Sequence, residues 1–384
     1  MSARPVILLC ALPLSCGLPL LGLWWAGKPI APYLEWPPMT RHVVHAPFSW
    51  PVSLGLSVLI SCAIAPGALR VLRATPSERP TPVAAFPWWG WGAVIWTLML
   101  WVLAWSRFEW MQPFQVHTFF PLWLGYILLV NALTFRRVGR CMLVDRPRDV
   151  LSLFPISAAF WWYFEYLNRF VQNWYYIGGG ELRAGAYVLQ ATLPFSTVLP
   201  AVLGTAEWLT SYPRCSAGLE RGVRVPFLHR KAWGWVVFCI AGAGLAGIGL
   251  WPDYLFPLVW VAPLLLISSL QVLRGAPTMF RETAYGDWRT VWIAALSALI
   301  CGFLWEMWNV YSLAHWEYAV PFVQGLTLFH MPLLGYAGYL PFGLECLAVA
   351  ELCLARTFAG GVACYGVTGA GADLAQRKPT VADR

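Results

Sequence analysis

Apolar runs long enough to cross a bilayer recur along the chain, over residues 5–26, 48–69, 88–106, 118–135, 150–168, 187–211, 233–251, 254–273, 290–309 and 334–355. They predict an all-α polytopic membrane protein of about ten transmembrane helices. The polar positions between the runs test that count. Arginines cluster in every second connection: Arg70, Arg73 and Arg79; Arg136, Arg137, Arg140, Arg146 and Arg148; Arg214, Arg221, Arg224 and Arg230 with Lys231; Arg274, Arg281 and Arg289; and Arg356, Arg377 and Arg384 with Lys378. The other connections hold only Lys28, Arg41, Arg107, Arg169 and Arg183. Alternation of this kind is the positive-inside pattern. It predicts both termini in the cytoplasm and suits a bacterial inner membrane. A missed or invented span would break it.

The runs also resemble one another at a distance. Trp89-Gly90-Trp91 opens the third and Trp233-Gly234-Trp235 the seventh; Phe120-Pro121-Leu122 opens the fourth and Phe256-Pro257-Leu258 the eighth. An aromatic-Glu-x-x-Asn motif closes the fifth, as Phe164-Glu165…Asn168, and the ninth, as Trp305-Glu306…Asn309. A Trp-x-Tyr follows each, Trp174…Tyr176 and Trp316…Tyr318. Leu199-Pro200…Glu207 and Leu340-Pro341…Glu345 mark the sixth and tenth. Spans 3–6 and 7–10 therefore read as two four-helix repeats. Four is even, so both copies run the same way through the bilayer, the parallel kind of repeat. The expected organisation is two N-terminal helices over 1–74, a first repeat over 86–211, a second over 232–356, and a partly disordered cytoplasmic tail over 357–384. The first run lacks a small-x-small cleavage site, so it reads as a retained span.

Composition agrees. Of 384 residues, 59% are hydrophobic and 11% charged, against roughly 25% charged in soluble domains. Many of the 25 Trp are expected in the interfacial aromatic belts. The net charge of +8 is spread over short loops, which excludes a nucleic-acid-binding surface and fits membrane topology. Most of the ten Cys fall inside apolar runs with no C-x-x-C, so neither disulfides nor a zinc ribbon is implied.

Candidate chemistry lies in carboxylates that fall within apolar runs: Glu165, Glu207, Glu306 and Glu345. Placing such a group at the bilayer centre costs about 2.5–3.5 kcal/mol on insertion scales, so it is either put to use or holds helices together by hydrogen bonding. Glu and Asn three apart share one helix face. Asn168 and Asn309 would thus orient Glu165 and Glu306, with Glu345 and Glu207 as further acid/base candidates. Trp162, Trp174, Tyr176, Trp305, Trp316, Tyr318 and Arg169 are the candidate substrate contacts; each also suits a plain interface belt. The aromatic connections 169–186 and 310–333 could fold back as lids over the motif-bearing helices. His42, His45, His117, His315 and His330 are the candidates for a transition-metal site. No motif indicates a cofactor: Walker A, G-x-G-x-x-G, G-x-S-x-G and H-E-x-x-H are all missing.

Three functions suit this pattern. One is an enzyme doing acid/base chemistry on a lipid or isoprenoid-like molecule. The second is a proton- or ion-coupled secondary transporter, although no pair of Gly/Pro-broken half-helices stands out at matching positions. The third is a structural or assembly subunit. Expected partners are membrane lipids and a lipophilic small molecule, with no nucleic acid; protein partners are unknown.

Overall fold

The computed structural model describes residues 3–75, 82–179 and 183–354; the expected tail over 357–384 lies outside them. The described residues form thirteen α-helices: α1 (Ala3–Trp25), α2 (Trp50–Arg73), α3 (Trp88–Trp105), α4 (Phe119–Val138), α5 (Met142–Asp145), α6 (Pro147–Val171), α7 (Ala184–Phe195), α8 (Val198–Thr210), α9 (Lys231–Gly247), α10 (Pro252–Leu255), α11 (Leu258–Leu273), α12 (Arg289–Asn309) and α13 (Tyr339–Cys353). Two short antiparallel strand pairs accompany them, β1 (Trp174–Ile177) with β2 (His315–Tyr318), and β3 (Thr327–Leu328) with β4 (Met331–Pro332).

Each of the ten apolar runs holds α-helix over much of its described length. Seven segments are long and apolar enough to cross a membrane: Arg4–Trp25, Trp50–Arg73, Trp88–Trp105, Phe119–Val138, Ala184–Thr210, Arg289–Asn309 and Leu333–Cys353. The chain is a multi-pass membrane protein. Helices α9 and α11 are apolar but shorter. The 25-residue α6 is outside the seven and carries Arg148, Asp149, Glu165 and Arg169.

Helix α3 packs on α4 and α9 on α11, while α12 packs on α8 and α13. The N-terminal α1 lies against α9 and α11, with Ile7 and Leu23 fully buried. By contrast α2 is nearly detached: Ser53 is its one buried residue, and it touches the bundle mainly through the 3-10 turns Leu333–Gly338 and Pro213–Ser216. Lipid tails are as apolar as the side chains, so van der Waals fit decides such helix contacts. The centre is a block of rings. Trp123 meets Trp305 at 5.1 Å and Trp308 at 5.0 Å, Phe164 stacks on Trp260 at 5.0 Å, and Phe160 stacks on Phe342 at 5.8 Å.

The expected span over 187–211 lies within one apolar segment, Ala184–Thr210, but its helix is interrupted at Ser196 and Thr197 between α7 and α8. Pro200 has no N–H to offer the Ser196 carbonyl four residues back. Ser157 of α6 then inserts its hydroxyl into the gap. It donates to the Phe195 carbonyl at 2.6 Å and accepts from the Leu199 N–H at 3.0 Å, bridging the link that would have continued the helix. The last span is irregular in the same half: its first turns, Leu333–Gly338, are 3-10 before α13 begins. The helix is thus interrupted within 187–211 and irregular at the start of Leu333–Cys353, where the sequence pattern marked neither.

The two ends of the bundle differ. One carries the arginine-rich connections, tied together by Arg70 to the Arg221 carbonyl (2.8 Å), Arg137 to the Ser211 carbonyl (3.1 Å) and Gly222 N–H to the Gly286 carbonyl (2.6 Å). The other carries the β1–β2 pair. There a strap over residues 31–49 is fastened by Arg169, whose guanidinium donates to the carbonyls of Tyr33 (2.9 Å) and Glu35 (2.6 Å). It is also held by His45 against Asp253 (2.7 Å) and by Ser49 N–H to the Phe322 carbonyl (2.9 Å).

Candidate functional site

The site grows from the ends of α6 and α12. Helix α6 stops at Gln172, which turns the chain in a left-handed conformation (φ 49°) straight into β1. Asn168 holds that turn. Its amide donates to the Trp174 carbonyl at 2.7 Å, and its oxygen accepts from the Asn173 N–H at 2.8 Å. Asn309 does the same for β2, donating to the Trp316 carbonyl at 2.7 Å and accepting from the Trp316 N–H at 2.9 Å. Both amides are buried and spend their bonds on strand backbone. Neither has a hydrogen bond to the Glu three residues before it.

Alternate residues of a strand share a face, so each Trp-x-Tyr turns both rings the same way. On β1 they meet Glu165. Its Oε1 accepts from Trp174 Nε1 (3.0 Å) and the Tyr176 hydroxyl (2.5 Å), and also from Trp161 Nε1 (3.0 Å), one turn earlier on α6. On β2 the Tyr318 hydroxyl donates to Glu306 Oε1 at 2.6 Å, and Trp316 Nε1 donates to the Tyr318 hydroxyl at 2.8 Å. Tyr339, at the start of α13, adds a second hydroxyl to Glu306 Oε1 at 2.7 Å. Its ring reaches there because Gly302, one turn before Glu306, leaves room; a Cβ at Gly302 would overlap the Tyr339 ring. The strands pair Trp174 with Tyr318 and Tyr176 with Trp316, so one small ribbon carries both clusters. Both carboxylates are fully buried, and the Oε2 atom of each has no hydrogen-bond partner among the described residues.

A cavity of about 610 Å³ opens on these rings, within the usual size of small-molecule sites. Trp161, Trp174, Tyr176, Trp305, Trp316, Tyr318 and Tyr339 line it, with Trp260 of α11, Leu56 and Leu59 of α2, and Pro194 and Val198 flanking the α7–α8 break. Of the expected contacts, Trp174, Tyr176, Trp305, Trp316 and Tyr318 lie in this wall. Trp162 does not: it donates to Thr192 Oγ1 at 3.0 Å and rests on Trp36. Arg169 is committed to the strap carbonyls.

The remaining acids lie elsewhere. Glu207 is near the arginine-rich end, where Oε2 accepts from the Met142 N–H at 2.8 Å and Oε1 lies 3.5 Å from Arg146. Glu345 is buried on α13 outside the cavity wall, with Oε2 unpartnered. The histidines scatter. His42 meets the Tyr175 ring edge-on, His45 pairs with Asp253, His117 is exposed, and His315 stacks on His330 at 5.3 Å. Among the described residues no group of three or more His, Cys, Asp or Glu is placed to hold a metal.

Sequence reasoning did not single out Trp161, Tyr339 or Trp260. Trp161 was detectable, since it lies four residues before Glu165 on the same helix face. Tyr339 and Trp260 come from helices far along the chain and carry no local signal. In comparisons with protein-family models, curated proteins and solved structures, nothing matches this chain.

Proposed function

We propose that the chain is an intramembrane enzyme that moves protons on a lipid or isoprenoid-like substrate held in the aromatic cavity. The observation that carries the reading is the pairing of cavity-lining tyrosine hydroxyls with fully buried carboxylates, Tyr176 with Glu165, and Tyr318 and Tyr339 with Glu306. A tyrosine that donates to a carboxylate keeps its oxygen lone pairs for the ligand. Its oxygen takes a proton from the substrate as its own proton passes to Glu Oε1. The reverse sequence returns the proton at another atom, and nothing is oxidised or reduced. The lining tyrosines touch substrate, the glutamates hold the proton, and Asn168 and Asn309 position the strands. The test compares lipid and pigment extracts of cells making the wild-type protein, Glu165→Gln or Glu306→Gln. A changed profile in the variants is expected; extracts identical to wild type would remove the enzyme reading.

The scaffold we propose for it has ten spans, with spans 3–6 and 7–10 as parallel repeats, in a bacterial inner membrane with both termini cytoplasmic. Its support is the α-helix within every expected run, the matched grip of Asn168 and Asn309 on β1 and β2, and the gathering of arginine-rich connections at the end opposite those strands. Reporter fusions at the 139–147 and 310–314 connections should report opposite sides of the membrane.

One observation favours a second reading, a proton- or ion-coupled transporter. The helix break at Ser196–Thr197 and the 3-10 turns Leu333–Gly338 both border the cavity, much as the discontinuous helices of transporters border their sites. Uptake into proteoliposomes that follows an imposed pH gradient would select it over catalysis.

A further inference from the structure

The cavity is lined by no Lys or Arg among the described residues; His315 is its one basic side chain. Behind its wall lie two buried carboxylates, and neither has an ion-pair partner among the described residues. The donors around them, indoles and phenols, are all neutral. Keeping a buried acid ionised is costly unless a counter-charge compensates it, and here only neutral donors surround the two carboxylates. The indoles of Trp161, Trp174, Trp260, Trp305 and Trp316 form much of the same wall, and indole rings attract positive charge more strongly than other aromatic rings. The hydroxyls of Tyr176, Tyr318 and Tyr339 give their protons to the carboxylates. Tyr176 and Tyr339 therefore each present an oxygen that can accept, and the Tyr318 oxygen, which already accepts from Trp316 Nε1, keeps one further lone pair.

We infer that the ligand supplies the missing charge: the cavity takes a lipophilic cation, an amphiphile whose apolar chain fills the aromatic chamber and whose cationic centre rests against the tyrosine oxygens. This inference rests on the proposed reading of the cavity as the substrate site and narrows the substrate class within it. An anionic lipid would meet acids and acceptor oxygens with no cation to hold it. A neutral hydrocarbon would fit the walls but leave both carboxylates uncompensated.

The test uses the full chain in nanodiscs and follows tryptophan fluorescence. Dodecyltrimethylammonium is compared with N,N-dimethyldodecanamide, a neutral amphiphile with the same chain. The cation is expected to bind at least tenfold more tightly, about 1.4 kcal/mol. Glu165→Gln and Glu306→Gln should each weaken the cation about tenfold or more and leave the amide within about threefold. Tyr318→Phe keeps the ring and removes the oxygen, and should weaken the cation with the amide unchanged. Equal binding of the two probes, or cation binding untouched in both Gln variants, overturns the inference. The enzyme reading is judged separately by the cell extracts, which would still change if the true substrate were neutral. Absence of binding by either probe to folded protein also overturns it.

Discussion

Replacing Asn309 by Ala removes both ends of an amide that brackets Trp316. The Trp316 N–H loses its acceptor at 2.9 Å and the Trp316 carbonyl its donor at 2.7 Å. Leaving a buried polar group unsatisfied costs roughly 1–3 kcal/mol; Trp316 is half-buried, so the two groups together amount to about 2 kcal/mol, the low end of that range. That energy is local, because β2 is four residues long and is held by β1, this amide and the Tyr318–Glu306 bond. The β1–β2 ribbon should open far more often. Hydrogen exchange measured by mass spectrometry reads this in peptides covering 174–177 and 315–318. At 1.4 kcal/mol per tenfold, protection should fall by at least about twentyfold. Asn168→Ala should act alike, since it strands the Asn173 N–H and the Trp174 carbonyl. Asn309→Asp is the sharper variant. It keeps the acceptor but sets an oxygen where Nδ2 now lies, 2.7 Å from a carbonyl oxygen, so it should be no better than Ala. Exchange in both strands within about threefold of wild type for both Ala variants would refute the assignment of these amides as strand clamps.

Other substitutions separate the site from its scaffold. Glu207→Ala removes the acceptor of the Met142 N–H and the carboxylate beside Arg146; it should destabilise by about 2–4 kcal/mol, seen as a lower thermal unfolding temperature, and an unchanged temperature would deny it a structural role. Gly178 ends β1 at φ +75°, and a Cβ there would run into the Leu313 carbonyl oxygen. Gly178→Ala should therefore cost at least about 1–2 kcal/mol and raise exchange over 174–177; wild-type protection there would count against the close approach.

The apolar runs showed where helices lie because lipid demands an internally satisfied backbone, and that demand is written locally, residue by residue. Glu165 and Glu306 stood out for a related reason, as charges where charge is expensive. The strands were harder to read. Trp174 and Tyr176 alternate, but four residues of alternation among 25 Trp look like an interfacial belt. Their partner strand lies some 140 residues away (174 to 318, a separation of 144), and no local pattern encodes such a pairing. The reading of Asn168 and Asn309 as partners of Glu rested on helical spacing alone. Both sit in the last turn of their helix, where an amide finds free strand backbone closer than the carboxylate one turn back. The α7–α8 break could not be read from Pro200 alone, because a proline at the start of a helical turn is often tolerated; it needed Ser157 from another helix.

The two clusters share a plan but differ in which of their groups can pass a proton on. At Glu165 two of three donors are indoles, and an indole N–H donates without accepting. Only Tyr176 can take a proton from a ligand while giving one up. At Glu306 both donors are phenols, and the indole of Trp316 is moved one step out, onto the Tyr318 oxygen. Glu306 thus has two hydroxyl routes to the cavity and Glu165 has one. Gln keeps a neutral acceptor at Oε1, so both variants should fold, while proton passage to that atom is lost. Under the enzyme reading, Glu306→Gln should therefore change the cell extract more than Glu165→Gln. Among single Phe variants, Tyr318→Phe and Tyr339→Phe should each retain part of the activity that Glu306→Gln abolishes, because the other hydroxyl still connects cavity and carboxylate. A Glu165→Gln variant as inactive as Glu306→Gln, with either single Phe variant also fully inactive, would mean that hydroxyl count does not set proton traffic, and that both carboxylates serve instead as fixed charges for the ligand.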